Sequence, residues 1–298
     1  MKKLIHFENT SRCNAKCPMC ARNINGEGLA VSLDDLTLQR FQTIVLENFK
    51  TLEKVFFCGS VGDPCADKDL LLKIKWLKET KSGVVVGINT NGSIRNNTWW
   101  QECATLLNGS YDYVVFSIDG LEDTNNIHRV GVVWKKIMEN AKAFIDAGGT
   151  AHWDMLVFEH NKHQIDTIKK LAYDMGFSWF RCKETDRWDQ FSFDHLKPAN
   201  DYSALDYNSL EVDCERNRDE SLYVDYKGNK FPCCHIGEMW YSKTQRHRHK
   251  DMLSYSPKQL MTEYQRRLNN NDPFYICKRC CGKDINKPSQ FKLEIQLR

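Results

Sequence analysis

The stretch Thr10-Ser11-Arg12-Cys13-Asn14-Ala15-Lys16-Cys17-Pro18-Met19-Cys20 constrains this chain more than any other. Cys13, Cys17 and Cys20 follow a C-x3-C-x2-C spacing, just after an apolar run, residues 4–7, that reads as a first strand. Three thiols in one short loop can hold one metal centre. A closed structural site asks for four ligands, whereas a catalytic site keeps a position open. Iron–sulfur cubanes are held by cysteine thiolates, usually four. A local set of three therefore leaves one iron open to a small molecule. On spacing alone, a zinc knuckle is the alternative.

Composition narrows the setting. No apolar run approaches the roughly 18 residues of a membrane span. The N-terminus, Met1-Lys2-Lys3-Leu4-Ile5-His6-Phe7-Glu8, is basic but lacks the apolar core of an export signal. A reducing cytoplasm is therefore expected, where 13 cysteines read as metal ligands or redox groups rather than disulfides. A net charge of +3 is too small to argue for a nucleic-acid partner.

The first 185 residues alternate short apolar runs with helical patterns. Strands are expected at 4–7, 55–58, 84–88, 113–118, 151–158 and 177–182. Helices are expected at 33–49, capped by Ser32, at 67–79, at 99–107, capped by Thr98, at 132–147 and at 162–175. Such alternation implies βαβ units and a parallel sheet. Six units fall short of a closed eight-fold barrel, which needs about 250 residues. Past 185 the rhythm stops, residues 186–210 look irregular, and Leu222 to Pro232 reads as a hairpin turning at Gly228-Asn229. The basic stretch Lys243 to Lys250 reads as a solvated loop. The boundary is set near 190, giving regions 1–190 and 191–298.

The cysteine loop, including Asn14 and Pro18, resembles the signature of radical S-adenosylmethionine (SAM) enzymes. The resemblance implies an α/β fold, a partial (β/α)6 TIM-type barrel open on one side. It also implies a [4Fe–4S] cluster on Cys13, Cys17 and Cys20 whose open iron binds the methionine end of SAM. The reduced cluster cleaves SAM to a 5′-deoxyadenosyl radical, which takes a hydrogen atom from substrate. The turn Gly62-Asp63-Pro64 resembles the family's Gly-Glu-Pro motif, with Asp63 set to accept from the methionine amine. It departs from that motif by having Asp for Glu and one extra residue between its glycines. The resemblance also places Asn89, Thr90 and Asn91, then Ser117 and Asp119, then Arg129, then Glu159 and Asn161, around the cofactor.

Cys214, Cys233, Cys277 and Cys280 form a second, complete set with spacing C-x18-C-x43-C-x2-C. Zinc and a cubane fit that spacing equally. The radical SAM context favours a twitch domain, a shortened SPASM relative, as a small C-terminal hairpin/helix domain with one fully ligated auxiliary [4Fe–4S] cluster. Cys234 and Cys281 sit beside two of these ligands and could replace them. Of the other cysteines, Cys103 reads as core, and Cys58, Cys65 and Cys182, near strand ends, are hydrogen-donor candidates.

The leading expectation is a net oxidation, a dehydrogenation or crosslink, of a small molecule or peptide, with the auxiliary cluster accepting an electron. A flavodoxin or ferredoxin-type protein would supply the reducing electron. A peptide epimerase or other peptide maturase is the second reading. RNA modification has no support from the charge. Only 12 residues precede Cys13, so no leader-recognition domain is expected before the barrel. From another class, a zinc-stapled binding protein would explain the C-terminal cysteines but not the three-cysteine loop.

Overall fold

The structure, a computed structural model, describes residues 2–24, 27–184, 193–199, 206, 209–241, 250–283 and 293–298. Strand β1 (Leu4–Phe7) runs into the cysteine loop, and β2 (Asn23–Ile24) and β3 (Glu27–Leu29) form a small antiparallel ribbon beyond it. Next come β4 (Lys54–Phe57), β5 (Val85–Thr90), β6 (Tyr113–Ser117), β7 (Ala151–Leu156) and β8 (Trp179–Lys183). With β1 they make six neighbouring parallel strands in chain order, the partial barrel expected. The crossovers carry helices α1 (Leu38–Glu47), α2 (Leu70–Thr80), α3 (Asn97–Leu106), the short α4 (Asn125–His128), α5 (Trp134–Asp146) and α6 (Ile165–Met175).

Strand alternation decides what each side meets. Ile5, Phe7, Val55, Phe57, Val86, Ile88, Val114 and Phe116 are fully buried in the main apolar cluster with helix residues such as Phe41, Ile74 and Phe144. The other face carries an aromatic layer. His6 packs on Phe56 at 5.3 Å, Tyr113 stacks on His152 at 4.8 Å, and Trp179 meets His152 at 6.3 Å. A Cβ at Gly87 would come within 2.8 Å of both Phe56 and Tyr113, so only glycine lets those rings converge. The layer fills one end of the barrel interior.

Two strands differ in partner from the sequence reading. The hairpin exists, as β9 (Ser221–Val224) and β10 (Lys230–Phe231), but β9 pairs in parallel with β1 and so extends the barrel sheet. At the other edge β11 (Leu293–Gln296), which the sequence reading did not find, pairs antiparallel with β8. Nothing in a four-residue strand names the distant edge it will join.

Two caps differ as well. Thr37, not Ser32, caps α1, its side chain accepting from the Arg40 N–H at 3.2 Å. Residues 32–35 instead run extended beside the cysteine loop, with Ser11 donating to the Ser32 carbonyl at 2.6 Å and Thr10 to Asp35 at 2.5 Å. Asn96, not Thr98, caps α3 through the Trp99 N–H at 3.0 Å. Gly176 ends α6 with φ of 95°, as its position suggested. Residues 243–249 of the basic stretch and most of 186–210 lie outside the described residues.

Candidate active site

A cleft of about 390 Å³ opens at the C-terminal ends of the parallel strands. Cys13, Cys17 and Cys20 line it together and are each half-buried. Their loop is braced by side-chain amides. Asn91 donates to the Cys13 sulfur at 3.6 Å and to Asn14 at 2.9 Å, and Asn14 donates to Ser93 at 2.7 Å. Asn23 holds the Cys17 carbonyl at 2.9 Å, and the Lys16 N–H donates to the Val130 carbonyl at 2.8 Å. Burial pushes the Cys13 thiol up to about 12, so a metal must displace its proton on binding.

The turn after β4 is built for close approach. A Cβ on Gly59 would sit 1.8 Å from the Gly62 oxygen, and one on Gly62 would sit 2.1 Å from the Thr10 oxygen. Asp63 lines the cleft and is 3% exposed. Its oxygens accept from the Asn91 N–H at 2.7 Å, the Thr90 hydroxyl at 2.9 Å and the Cys65 N–H at 3.0 Å. Burial raises its pKa despite these donors. The carboxylate thus joins the ends of β4 and β5 as well as facing the cleft.

Asn89, Thr90, Asn91, Ser117, Asp119 and Arg129 also line the cleft, together with Gly62. Asp119 is a hub. It accepts from His128 Nδ1 and Arg129 Nε, each at 2.6 Å, and from the Leu156 N–H at 2.8 Å. Burial alone would raise its pKa, but Arg129 and His128 hold it well below the usual carboxylate range. Arg129 is thereby locked beside Cys17, whose thiol burial raises and the Arg129 charge only partly offsets.

Other expected residues are placed elsewhere. Pro64 and Cys65 are buried in the 3-10 turn Pro64–Ala66, away from the cleft lining. Glu159 pairs with Lys162 at 2.7 Å, with its side chain 47% exposed, and does not line the cleft. Asn161 is buried and acts inside the fold, donating to the Asp119 carbonyl at 2.6 Å. Cys182 sits with Phe180 in the main apolar cluster, because its strand position points it toward the helices. Of the three hydrogen-donor candidates, Cys58 alone lines the cleft.

The sequence reading missed several site residues. Asp154, Lys183 and His235 line the cleft, and Asp154 is held by Arg181 at 2.5 Å and by Lys183. Alternation along β7 and β8 was the available signal for Asp154 and Lys183, since His152/Asp154 and Arg181/Lys183 share one face, whereas His235 lies in the helix Cys234–Tyr241 and no strand pattern marked it. Glu8 was also missed. It is 1% exposed, and burial raises its pKa to about 8.

The second cysteine set gathers in a smaller apolar cluster. Cys214, Cys233 and Cys277 are buried there with Tyr223, Phe231 and Phe274, and Cys234, Cys280 and Cys281 pack against it. Cys214 lies 3.1 Å from the Tyr264 hydroxyl, and a hydrogen bond with Cys281 draws its thiol below the usual range against burial. Cys234 differs from its neighbour Cys233, standing within electrostatic reach of Arg216, Glu238 and Glu8. Among the described residues, no three His, Cys, Asp or Glu side chains are set closely enough to hold a single ion. A cubane asks for a wider arrangement, with one thiolate on each iron.

Comparison with known proteins follows the same lines. A curated protein of Pyrococcus furiosus, the tungsten-containing aldehyde ferredoxin oxidoreductase cofactor-modifying protein, is 32% identical over 183 residues. That match covers 58% of this chain and 49% of the relative, so the chain spans about half of the relative's length. Among solved structures, anSMEcpe with bound SAM has a TM-score of 0.56 at 14% identity, covering 96% of this chain and 92% of that one. SuiB of Streptococcus suis bound to SAM has a TM-score of 0.59 at 14% identity, covering 79% and 61%. These two likenesses are of fold. The radical SAM superfamily profile matches residues 8–172, over half of the sequence and including the cysteine loop and its braces, and the chain belongs to that superfamily.

Proposed function

We propose that this protein binds SAM and a [4Fe–4S] cluster in the described cleft and abstracts a hydrogen atom from a substrate for a net oxidation. The observation carrying this reading is that Cys13, Cys17 and Cys20 share one cleft with Asp63, Asn91 and Arg129. The donor set fits: three half-buried thiols in a braced loop, with Asn91 donating to the Cys13 sulfur. When bound, the cluster and SAM together supply a 5′-deoxyadenosyl radical. Asp63 would face the methionine amine, the Asp119–Arg129 pair would hold the cofactor's side of Cys17, and Asn89 and Ser117 would contact the rest of the cofactor. Asp154, Lys183 and Cys58 form the wall left for substrate.

Cys214, Cys233, Cys277 and one of the adjacent pair Cys280 and Cys281 would hold an auxiliary [4Fe–4S] cluster in a twitch-type C-terminal domain. Their gathering in one apolar cluster supports this. Four thiolates leave no place for substrate, so the second site would accept an electron during oxidation. A flavodoxin or ferredoxin-type protein would deliver the initiating electron. The substrate is a small molecule or a peptide. The Pyrococcus relative's name describes a cofactor-modifying protein, and SuiB has a structure bound to precursor peptide SuiA. The competing fate is quenching by the Cys58 thiol, which stands in the cleft and would give an epimer.

Anaerobic reconstitution tests the reading. About eight irons per chain are expected, four for each thiolate set. Replacing Cys13, Cys17 and Cys20 with alanine should remove half of the iron and abolish dithionite-driven formation of 5′-deoxyadenosine. Near-stoichiometric zinc with no iron would sink the proposal. A product lighter by two hydrogens supports oxidation. A product of unchanged mass that takes carbon-bound deuterium from solvent, and loses it in Cys58→Ala, would favour the epimerase reading.

A further inference from the structure

We infer that Glu8 is a positioning residue for the cofactor. It fixes the turn that carries Asp63 and, through Tyr223, ties that turn to the strand beside the C-terminal thiols. The inference rests on the reading above that this turn meets SAM.

Glu8 follows β1 directly and is 1% exposed. Oε1 accepts from the Val61 N–H at 3.0 Å and the Gly62 N–H at 2.9 Å. Oε2 accepts from the Ser60 N–H at 2.7 Å and the Tyr223 hydroxyl at 2.8 Å. Three successive backbone amides converging on one carboxyl group make a concave seat, and the seat's shape is the shape of the turn. The next amide, that of Asp63, donates to the Arg12 carbonyl at 2.8 Å, so the turn is pinned to Glu8 on one side and to the cysteine loop on the other. Gly59 and Gly62 leave no slack, as each would clash with backbone oxygen if it bore a Cβ.

Tyr223 supplies the longer connection. It lies in β9, in register with His6 of β1, and its ring belongs to the apolar cluster of Cys214, Cys233 and Cys277. One phenol thus touches the auxiliary thiol region with its ring and the cofactor turn's carboxyl group with its hydroxyl. Neither Glu8 nor Tyr223 lines the cleft, so each acts through the turn.

The test compares reconstituted wild-type protein with Glu8→Gln, Tyr223→Phe and the double variant. SAM dissociation constants from equilibrium dialysis, iron per chain and melting temperature are read on the same samples. Glutamine keeps one acceptor oxygen but sets an NH₂ group against the Ser60 N–H. Glu8→Gln should bind SAM about tenfold more weakly, the upper end of the effect of one lost hydrogen bond. Iron content should be unchanged, and cleavage at saturating SAM should stay near the wild-type rate, the split expected when binding alone is lost. Tyr223→Phe should weaken binding by about threefold, and adding it to Glu8→Gln should cost little more, because the two share one contact. Unchanged SAM affinity in iron-loaded Glu8→Gln, with only a lowered melting temperature, would make Glu8 a plain structural carboxylate and overturn the inference. If Glu8→Gln fails to fold, Tyr223→Phe decides alone, and unchanged affinity there overturns it. Iron-loaded wild type that binds no SAM would instead overturn the cofactor reading beneath it.

Discussion

Asp119 was expected near the cofactor from the resemblance to radical SAM enzymes. The structure gives it a heavier duty. It is fully buried, and Arg129 and His128 both close on one of its oxygens. Removing one member of a buried pair strands the other's charge, so Asp119→Asn should lower stability by about 3–5 kcal/mol. Urea denaturation with an unchanged m-value is the measurement, and a loss below about 1 kcal/mol would mean that Arg129 finds another partner. The depressed pKa of Asp119 gives stability that is present above its unfolded pKa and lost as pH falls through the folded one. Lys73 is a buried cation of the same kind, paired with Asp67 with neither side chain exposed. It sat unnoticed in a helix pattern because a lysine at a core position reads as solvated until its partner is known.

Helices and strands were legible where their own residues specify them. Apolar spacing marked α1, α2, α5 and α6, and Gly148 and Gly176, with φ of 91° and 95°, stop two of them. Caps were less legible, since Ser, Thr and Asn all cap and several lie near each start. Asn96→Ala should cost about 1 kcal/mol, whereas Thr98→Ala should stay within about 0.5 kcal/mol. Thermal or urea unfolding of both variants checks this, and the reverse order would restore Thr98 as the cap. The hairpin β9–β10 was visible from its own turn, with φ of 80° at Gly228. Its place beside β1 was not visible, because parallel pairing is chosen by register and surroundings rather than by local sequence.

At the scale of the molecule, the barrel interior carries a buried histidine, His6, and a half-buried one, His152, that stay neutral. Burial, reinforced by Arg216, lowers His6 to about 3, and His235 acts in the same direction. Burial with Arg181 lowers His152 to about 4. The unfolded chain takes up these protons near pH 6.5 and the folded chain does not, so their stability contribution is present above that pH and lost as pH falls toward the folded values. Glu8 runs the other way, favouring the folded state at low pH and losing its contribution as pH rises through about 8. Comparing wild type with His6→Gln isolates the histidine. The loss of melting temperature between pH 7.5 and 5.5 should be smaller in His6→Gln, and equal losses would show that His6 protonates freely when folded. What the sequence by itself determined was the chemistry-bearing loop and the βα alternation, because three thiols at fixed spacing and apolar residues at fixed periods are local facts. Tertiary structure alone decided that Glu8 holds the Asp63 turn, that Cys182 faces the helices while Cys58 faces the cleft, and that β9 and β11 join the barrel sheet. Those outcomes depend on which distant backbone amides, rings and strand edges meet, and no local pattern encodes that meeting.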